Sequence, residues 1–156
     1  MTSENSLFDD VGDMVRGMAP VELGTCRYRA HRYGIKVWFG PAKPIREHYE
    51  AQVIGAQEVE GASVLALEVG FHSEHPQAAE NDRVIAHLLA RERGWRRALG
   101  REAEVGAFLG RQDAWRRVSE TWPDPDLGAP DLGLEIAVRL VDYVTALEPV
   151  RRGRKE

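Results

Sequence analysis

From Ser63 to His72 the chain reads SVLALEVGFH, and Leu65, Leu67, Val69 and Phe71 take every second position. A strand points successive side chains to opposite faces, so this alternation demands a sheet with one buried and one polar face. Two earlier stretches repeat the pattern. Cys26 to Phe39 sets Tyr33, Ile35, Val37 and Phe39 against Gly34, Lys36 and Trp38, and Glu47 to Ile54 sets Tyr49, Ala51 and Val53 on one side. Around Tyr28 and Ala30 the apolar phase is opposite, which predicts a bulge or break near 32–34. The loop 40–44 and the turn 55–62 are short, and short connections favour an antiparallel meander.

Helical spacing frames these strands. Leu7, Phe8, Val11, Met14, Val15 and Met18 follow a helix start at Ser6-Leu7-Phe8-Asp9, and Pro20 should end that helix. Pro76 suits the first turn of a second helix with Val84, Ile85, Leu88, Leu89, Trp95 and Leu99 on its stripe, stopped by Gly100. A hairpin is expected from Val105 to Leu109 and Trp115 to Trp122, turning at 110–113. Asp131 then caps a last helix that Pro149 should stop. The expected order is α-β-β-β-α-β-β-α. It defines an α+β fold with a mainly antiparallel sheet and helices on its apolar face, one domain over 1–150 and a disordered basic tail over 151–156.

The chain is 156 residues long and 43% hydrophobic, enough for one core without disulfide or metal staples. Its single cysteine, Cys26, has no internal partner. The acidic start MTSENSLFDD is unlike a signal peptide, and no apolar run approaches the roughly 20 residues that cross a bilayer. A cytoplasmic protein with no membrane partner is the expectation. The net charge of −4 argues against a surface built for nucleic acid, although 91–117 holds eight arginines against four acids, a local +4. Local pairing on a solvated helix face accounts for such a run.

The polar face of the sheet holds the candidate site. With both connections centred, Glu50 falls opposite Glu68 and His48 opposite Gly70, while Lys36 opposes Glu50 and Trp38 opposes His48. Two carboxylates facing each other need a compensating cation, and Lys36 or a bound metal ion would supply it. The row Lys36, Glu50, Glu68 is therefore open to three readings: a metal site on Glu50 and Glu68, an acid–base pair, or a salt-bridge ladder. His72, Glu74 and His75 are weighed as a second ligand set. Glu68 lies four residues from His72, about 13 Å along a strand, and no HExxH or CxxC spacing is present, so 72–75 reads as a strand exit and helix start. Trp38, His48, Trp115, Arg116 and Arg117 are candidate binding residues, since an aromatic among arginines can stack on a base or anchor a protein interface. No GxSxG elbow, P-loop or GxGxxG follows a strand.

The order α-β-β-β-α-β, with Glu50 and Glu68 on its second and third strands, resembles the core of the PD-(D/E)XK nuclease fold. That resemblance implies magnesium on the two carboxylates. The family's catalytic lysine would fall at Gly70, so Lys36 would have to serve from the neighbouring strand. The longer order is similar to that of type III secretion chaperones, which implies a small acidic dimer that binds segments of partner proteins. Small size, acidic charge and missing catalytic motifs favour a non-catalytic protein-binding or adaptor module, with a protein partner or homodimer and no cofactor. The alternative is a magnesium-dependent nuclease-like or phosphodiesterase enzyme.

Overall fold

A computed structural model describes residues 6–41, 46–110 and 112–154. Residues 42–44 of the expected loop, Arg111 of the hairpin turn, and Lys155 and Glu156 of the tail lie outside the described residues. The elements are α1 (Leu7–Met18), β1 (Cys26–His31), β2 (Gly34–Phe39), β3 (Glu47–Gly55), β4 (Leu65–Ser73), α2 (Ala78–Leu89), α3 (Glu92–Leu99), β5 (Glu104–Ala107), β6 (Arg116–Pro123) and α4 (Leu132–Arg152). Six strands form one antiparallel sheet in the order β1-β2-β3-β4-β6-β5, with the helices packed on it. The fold is α+β, as the alternation required.

The period-2 residues make the core. Ile35, Val37, Ala51, Leu67, Val69 and Phe71 are buried on one face against Phe8, Val11 and Val15 of α1 and Ile136, Leu140 and Val144 of α4. Full burial of such a side chain contributes about 1.5–3 kcal/mol, so this face holds the helices in place. α1 starts at a capping box: the Asp9 N–H donates to Ser6 Oγ at 3.3 Å, and the Ser6 N–H donates to Asp9 Oδ2 at 3.1 Å. These bonds satisfy two groups that a helix start leaves open.

Three expectations are corrected. Cys26 to Phe39 is two strands rather than one, because the expected break near 32–34 is a tight turn that pairs them from Cys26 with Phe39 to His31 with Gly34. The phase change at Tyr28 follows, because β1 and β2 each have their own alternation. The stripe from Val84 to Leu99 is split between α2 and α3. Trp95 stays buried, with its indole N–H donating to the Leu88 carbonyl at 2.7 Å. Pro149 does not stop α4, which runs to Arg152.

Arg151 and Arg152 are therefore helical rather than part of a disordered tail. Glu148 draws both of them inward, at 2.7 and 3.1 Å, and Arg154 pairs with Glu80. Among the described residues, no helix is long and apolar enough to cross a membrane.

Candidate metal centre

The strands β3 and β4 pair with a register that sets His48 opposite His72, Glu50 opposite Gly70 and Gln52 opposite Glu68. The centred register expected from the sequence is therefore off by two residues. A 3-10 turn over Ala56–Glu58 lies in the connection, and β4 starts only at Leu65, which moves the centre of the turn. A shift of two keeps every side chain on its face and changes only which residues meet. Lys36 does pair with Glu50, as expected.

The corrected register creates a local two-fold. In an antiparallel pair with His48 opposite His72, the tripeptide His48-Tyr49-Glu50 maps onto His72-Ser73-Glu74. Both glutamates reach back toward the axis. Glu50 Oε1 lies 2.8 Å from His48 Nε2 and 3.0 Å from His72 Nδ1. Glu74 Oε2 lies 3.4 Å from His48 Nε2 and 3.2 Å from His72 Nδ1. Nitrogen and oxygen thus alternate around a ring, and the four residues offer ligand atoms all within 4.8 Å of one another. An ion roughly 2.1 Å from each ligand, at angles of about 90–110°, sets neighbouring ligand atoms roughly 3.0–3.4 Å apart. The ring has that size.

The site is enclosed. His48 and His72 are 0% exposed, and Glu50 and Glu74 are 5% exposed. The Phe108 ring meets His72 edge-on at 4.8 Å, and Trp115 meets Phe108 at 5.1 Å. Buried charges survive only when paired, and here they are paired with each other. Burial pushes the Glu74 carboxyl up, but hydrogen bonds and charge from His48 and His72 outweigh it and hold it at about 2. The same balance of burial against the two imidazoles holds Glu50 well below the usual carboxylate range. Burial pulls His72 down, yet Glu68, Glu50 and Glu74 together raise it well above the ordinary imidazole value.

Glu68 has a separate place. It contacts the far nitrogen, with Oε2 2.8 Å from His72 Nε2, and accepts from Ser119 Oγ at 2.7 Å and Gln52 Nε2 at 2.9 Å. Glu68 stays out of the ring, yet it meets His72 across about 13 Å of strand, because Gly70 between them has no side chain to intervene and both long side chains lean together. Glycine is needed there for another reason. A Cβ at Gly70 would stand 2.4 Å from the Val118 carbonyl oxygen and 2.5 Å from Ser119 Cβ, so β6 could not approach.

The remaining candidates disperse. Lys36 Nζ is 3.8 Å from Glu74 Oε1 at the rim of the ring. Trp38 is buried, its indole N–H donating to the Pro41 carbonyl. Arg116 pairs with Asp82, and Arg117 pairs with Glu104 and donates to Ser119 Oγ at 2.7 Å. Trp115 belongs to the aromatic cover of His72. Trp38, Trp115, Arg116 and Arg117 therefore do not present one stacking surface.

Glu74 lies just past β4, where the expected strand exit would have left it in solvent. Its N–H donates to the Arg46 carbonyl at 2.7 Å, extending the β3–β4 ladder. Asn81 holds the next turn. Its Oδ1 accepts from Ser73 Oγ and the His75 N–H, and its Nδ2 donates to the carbonyls of His75 and Ala114. Asn81 was absent from the sequence candidates. It was legible as the one polar member of a stripe continuing through Val84, Ile85 and Leu88. The ring itself had a signal too, in the repeated His-x-Glu at 48–50 and 72–74.

No protein-family model, curated protein or solved structure matches the chain. Chemically, the ring offers two imidazole nitrogens and two carboxylate oxygens converging on one point, with a further carboxylate behind one imidazole.

Proposed function

We propose that this protein binds one divalent transition-metal ion through His48, Glu50, His72 and Glu74, in a closed centre that serves binding rather than catalysis. The carrying observation is the alternating ring of four buried ligand atoms with separations of 2.8–3.4 Å. Mixed imidazole and carboxylate ligands suit zinc, iron or manganese, whereas magnesium favours oxygen and retained water. Charge supports a divalent ion as well. Glu50 and Glu74 balance a charge of +2, and Lys36 adds a positive charge at the rim, 3.8 Å from Glu74 Oε1. Four protein ligands under an aromatic cover resemble a structural site, since catalytic zinc keeps an open position.

The magnesium-dependent phosphodiesterase reading needed Glu50 and Glu68 on one ion. They address opposite nitrogens of His72, which weighs toward the non-catalytic reading. Purified protein stripped with chelator and titrated with zinc in a calorimeter tests the proposal. One equivalent should bind, magnesium should not compete, and His72→Ala should abolish binding. Absence of zinc, manganese and iron binding to the folded protein would overturn it, and metal-stimulated hydrolysis of a phosphodiester would replace it with the enzyme reading.

The adaptor expectation has support on a different surface. Leu134 and Val138 on the outer face of α4 are 50% and 44% exposed, beside Trp122. Arg139 beside them is already held by Glu120 at 2.8 Å and Asp142 at 3.2 Å, so the apolar pair rather than charge would carry a contact with a second copy. A homodimer through α4 is the partner we propose, and light scattering over a concentration series, with Leu134→Glu as the breaking variant, checks it. Cytoplasmic location belongs to the same proposal, in keeping with the free buried thiol of Cys26.

A further inference from the structure

We infer that Glu68 is the positioning residue of the metal centre: it holds His72 by Nε2, so that Nδ1 is the nitrogen given to the ion. The inference rests on the metal-binding reading and concerns what orders its ligands. A neutral imidazole has one N–H and one lone pair. At His72 the two nitrogens face different partners. Nε2 stands 2.8 Å from Glu68 Oε2, and Nδ1 stands 3.0 and 3.2 Å from the ligand oxygens of Glu50 and Glu74. Nδ1 shares its side of the ring with the other three ligand atoms, so with an ion held there the lone pair belongs at Nδ1, and the one remaining ring hydrogen belongs at Nε2, where the Glu68 carboxylate accepts it.

Glu68 cannot turn to the ion itself. It is 0% exposed, one oxygen accepting from Ser119 and the other from Gln52, and Ser119 is in turn held by Arg117 Nη1 at 2.7 Å. This chain of four side chains is contributed by three neighbouring strands, none of which depends on the ion for its pairing. It gives a ligand already oriented and made more electron-rich by the charge behind it.

The local two-fold makes the asymmetry visible. His48 is the counterpart of His72, yet His48 Nδ1 is buried with no hydrogen-bond partner among the described residues. The two histidines are therefore unequal ligands. His72 anchors the ion, and His48 completes the shell with a less constrained ring.

The test uses zinc and three variants of the full chain. Glu68→Gln keeps an acceptor for Nε2–H but removes the charge, Glu68→Leu removes both, and Ser119→Ala removes one hydrogen bond to Glu68 while leaving the ligands and the charge. Chelator competition should show zinc affinity falling 10–100-fold in Glu68→Gln, further in Glu68→Leu, and less in Ser119→Ala. Nitrogen-15 spectra of the zinc-loaded protein should show His72 ligated through Nδ1 with Nε2 protonated, in the wild type and in Glu68→Gln. Should the Glu68 variants misfold, the Ser119→Ala affinity and the wild-type spectrum still decide. Wild-type zinc affinity in all folded variants, or ligation through Nε2, overturns the role of Glu68 and leaves the metal centre standing. Failure of the wild type to take up zinc removes the centre and this inference together.

Discussion

His72 shows how one residue's chemistry is set by what surrounds it. On an exposed strand end it would be an ordinary imidazole. Enclosed between Glu50, Glu74 and Glu68, it becomes the hub of three carboxylates. Two neighbours that carry no charge make this possible. Gly70 lets β6 close on β4, and any Cβ there meets the Val118 carbonyl oxygen. We expect Gly70→Ala to destabilise the fold by about 1–3 kcal/mol, as overpacked sites do, with a lowered urea midpoint as the readout. Asn81 is the second. Its amide makes four hydrogen bonds from full burial. Truncation leaves buried partners unmet at about 1–3 kcal/mol each where water cannot enter. Asn81→Ala should therefore lose about 3 kcal/mol in denaturation and should weaken zinc binding, because Glu74 lies between the Ser73 and His75 groups that Asn81 holds. Unchanged affinity in a folded Asn81→Ala protein would separate the turn from the site.

At the scale of elements, α4 is where sequence rules were overridden. Proline lacks an N–H and clashes with the preceding turn, so Pro149 reads as a stop. Three contacts carry the helix past it. Glu148 is 1% exposed and accepts from Tyr49 Oη at 2.8 Å, from Arg151 and from Arg152. Burial pushes its carboxyl up, but Arg151, Tyr49 and Arg152 together leave it lowered. A carboxylate lowered by folding adds stability above its unfolded value, near 4.3, and that stability is lost as pH falls through this region toward the folded value. Glu148→Gln should cost about 1–3 kcal/mol at pH 7, the range for a buried hydrogen-bonded group left partly unmet. The gap to wild type should narrow as pH falls below the unfolded value near 4.3, where the carboxyl of the unfolded chain takes up its proton before the native one does. A gap that stays constant from pH 7 to pH 3 would show that Glu148 acts by shape rather than charge. The arginine run at 91–117 follows the ordinary rule instead, with Arg96 on Glu92, Arg116 on Asp82 and Arg117 on Glu104.

For the whole molecule, the proposed centre bridges β3 and β4 and would tie ion binding to the fold. An ion that binds only the native state stabilises by RT ln(1 + [L]/Kd), about 2.7 kcal/mol at a hundredfold excess over Kd. For a domain of this size that is a rise in Tm of about 5–10 °C. Zinc should produce it and magnesium should not, and His72→Ala should erase it, as read by calorimetric melts. The architecture behind that coupling was largely written in the chain. Period-2 alternation in 63–72 requires a one-sided sheet whatever its neighbours, and helical stripes at 7–18 and 132–147 supply the cover. That His48, Glu50, Glu68 and His72 share the polar face follows from the same parity, and it survives a slip of two residues. Which of them meet does not follow. Neighbouring registers that keep the same parity bury the same apolar face at nearly equal cost, so hydrophobic patterning cannot choose between Glu50 opposite Glu68 and His48 opposite His72. The choice belongs to the turn after β3, to the approach of β6 at Gly70, and to Asn81 reaching across from α2, all contacts between residues distant in the chain. Sequence alone determined the sheet, its sidedness and its polar residues; tertiary structure decided that two His-x-Glu segments converge, because only packing selects one register from several of equal parity.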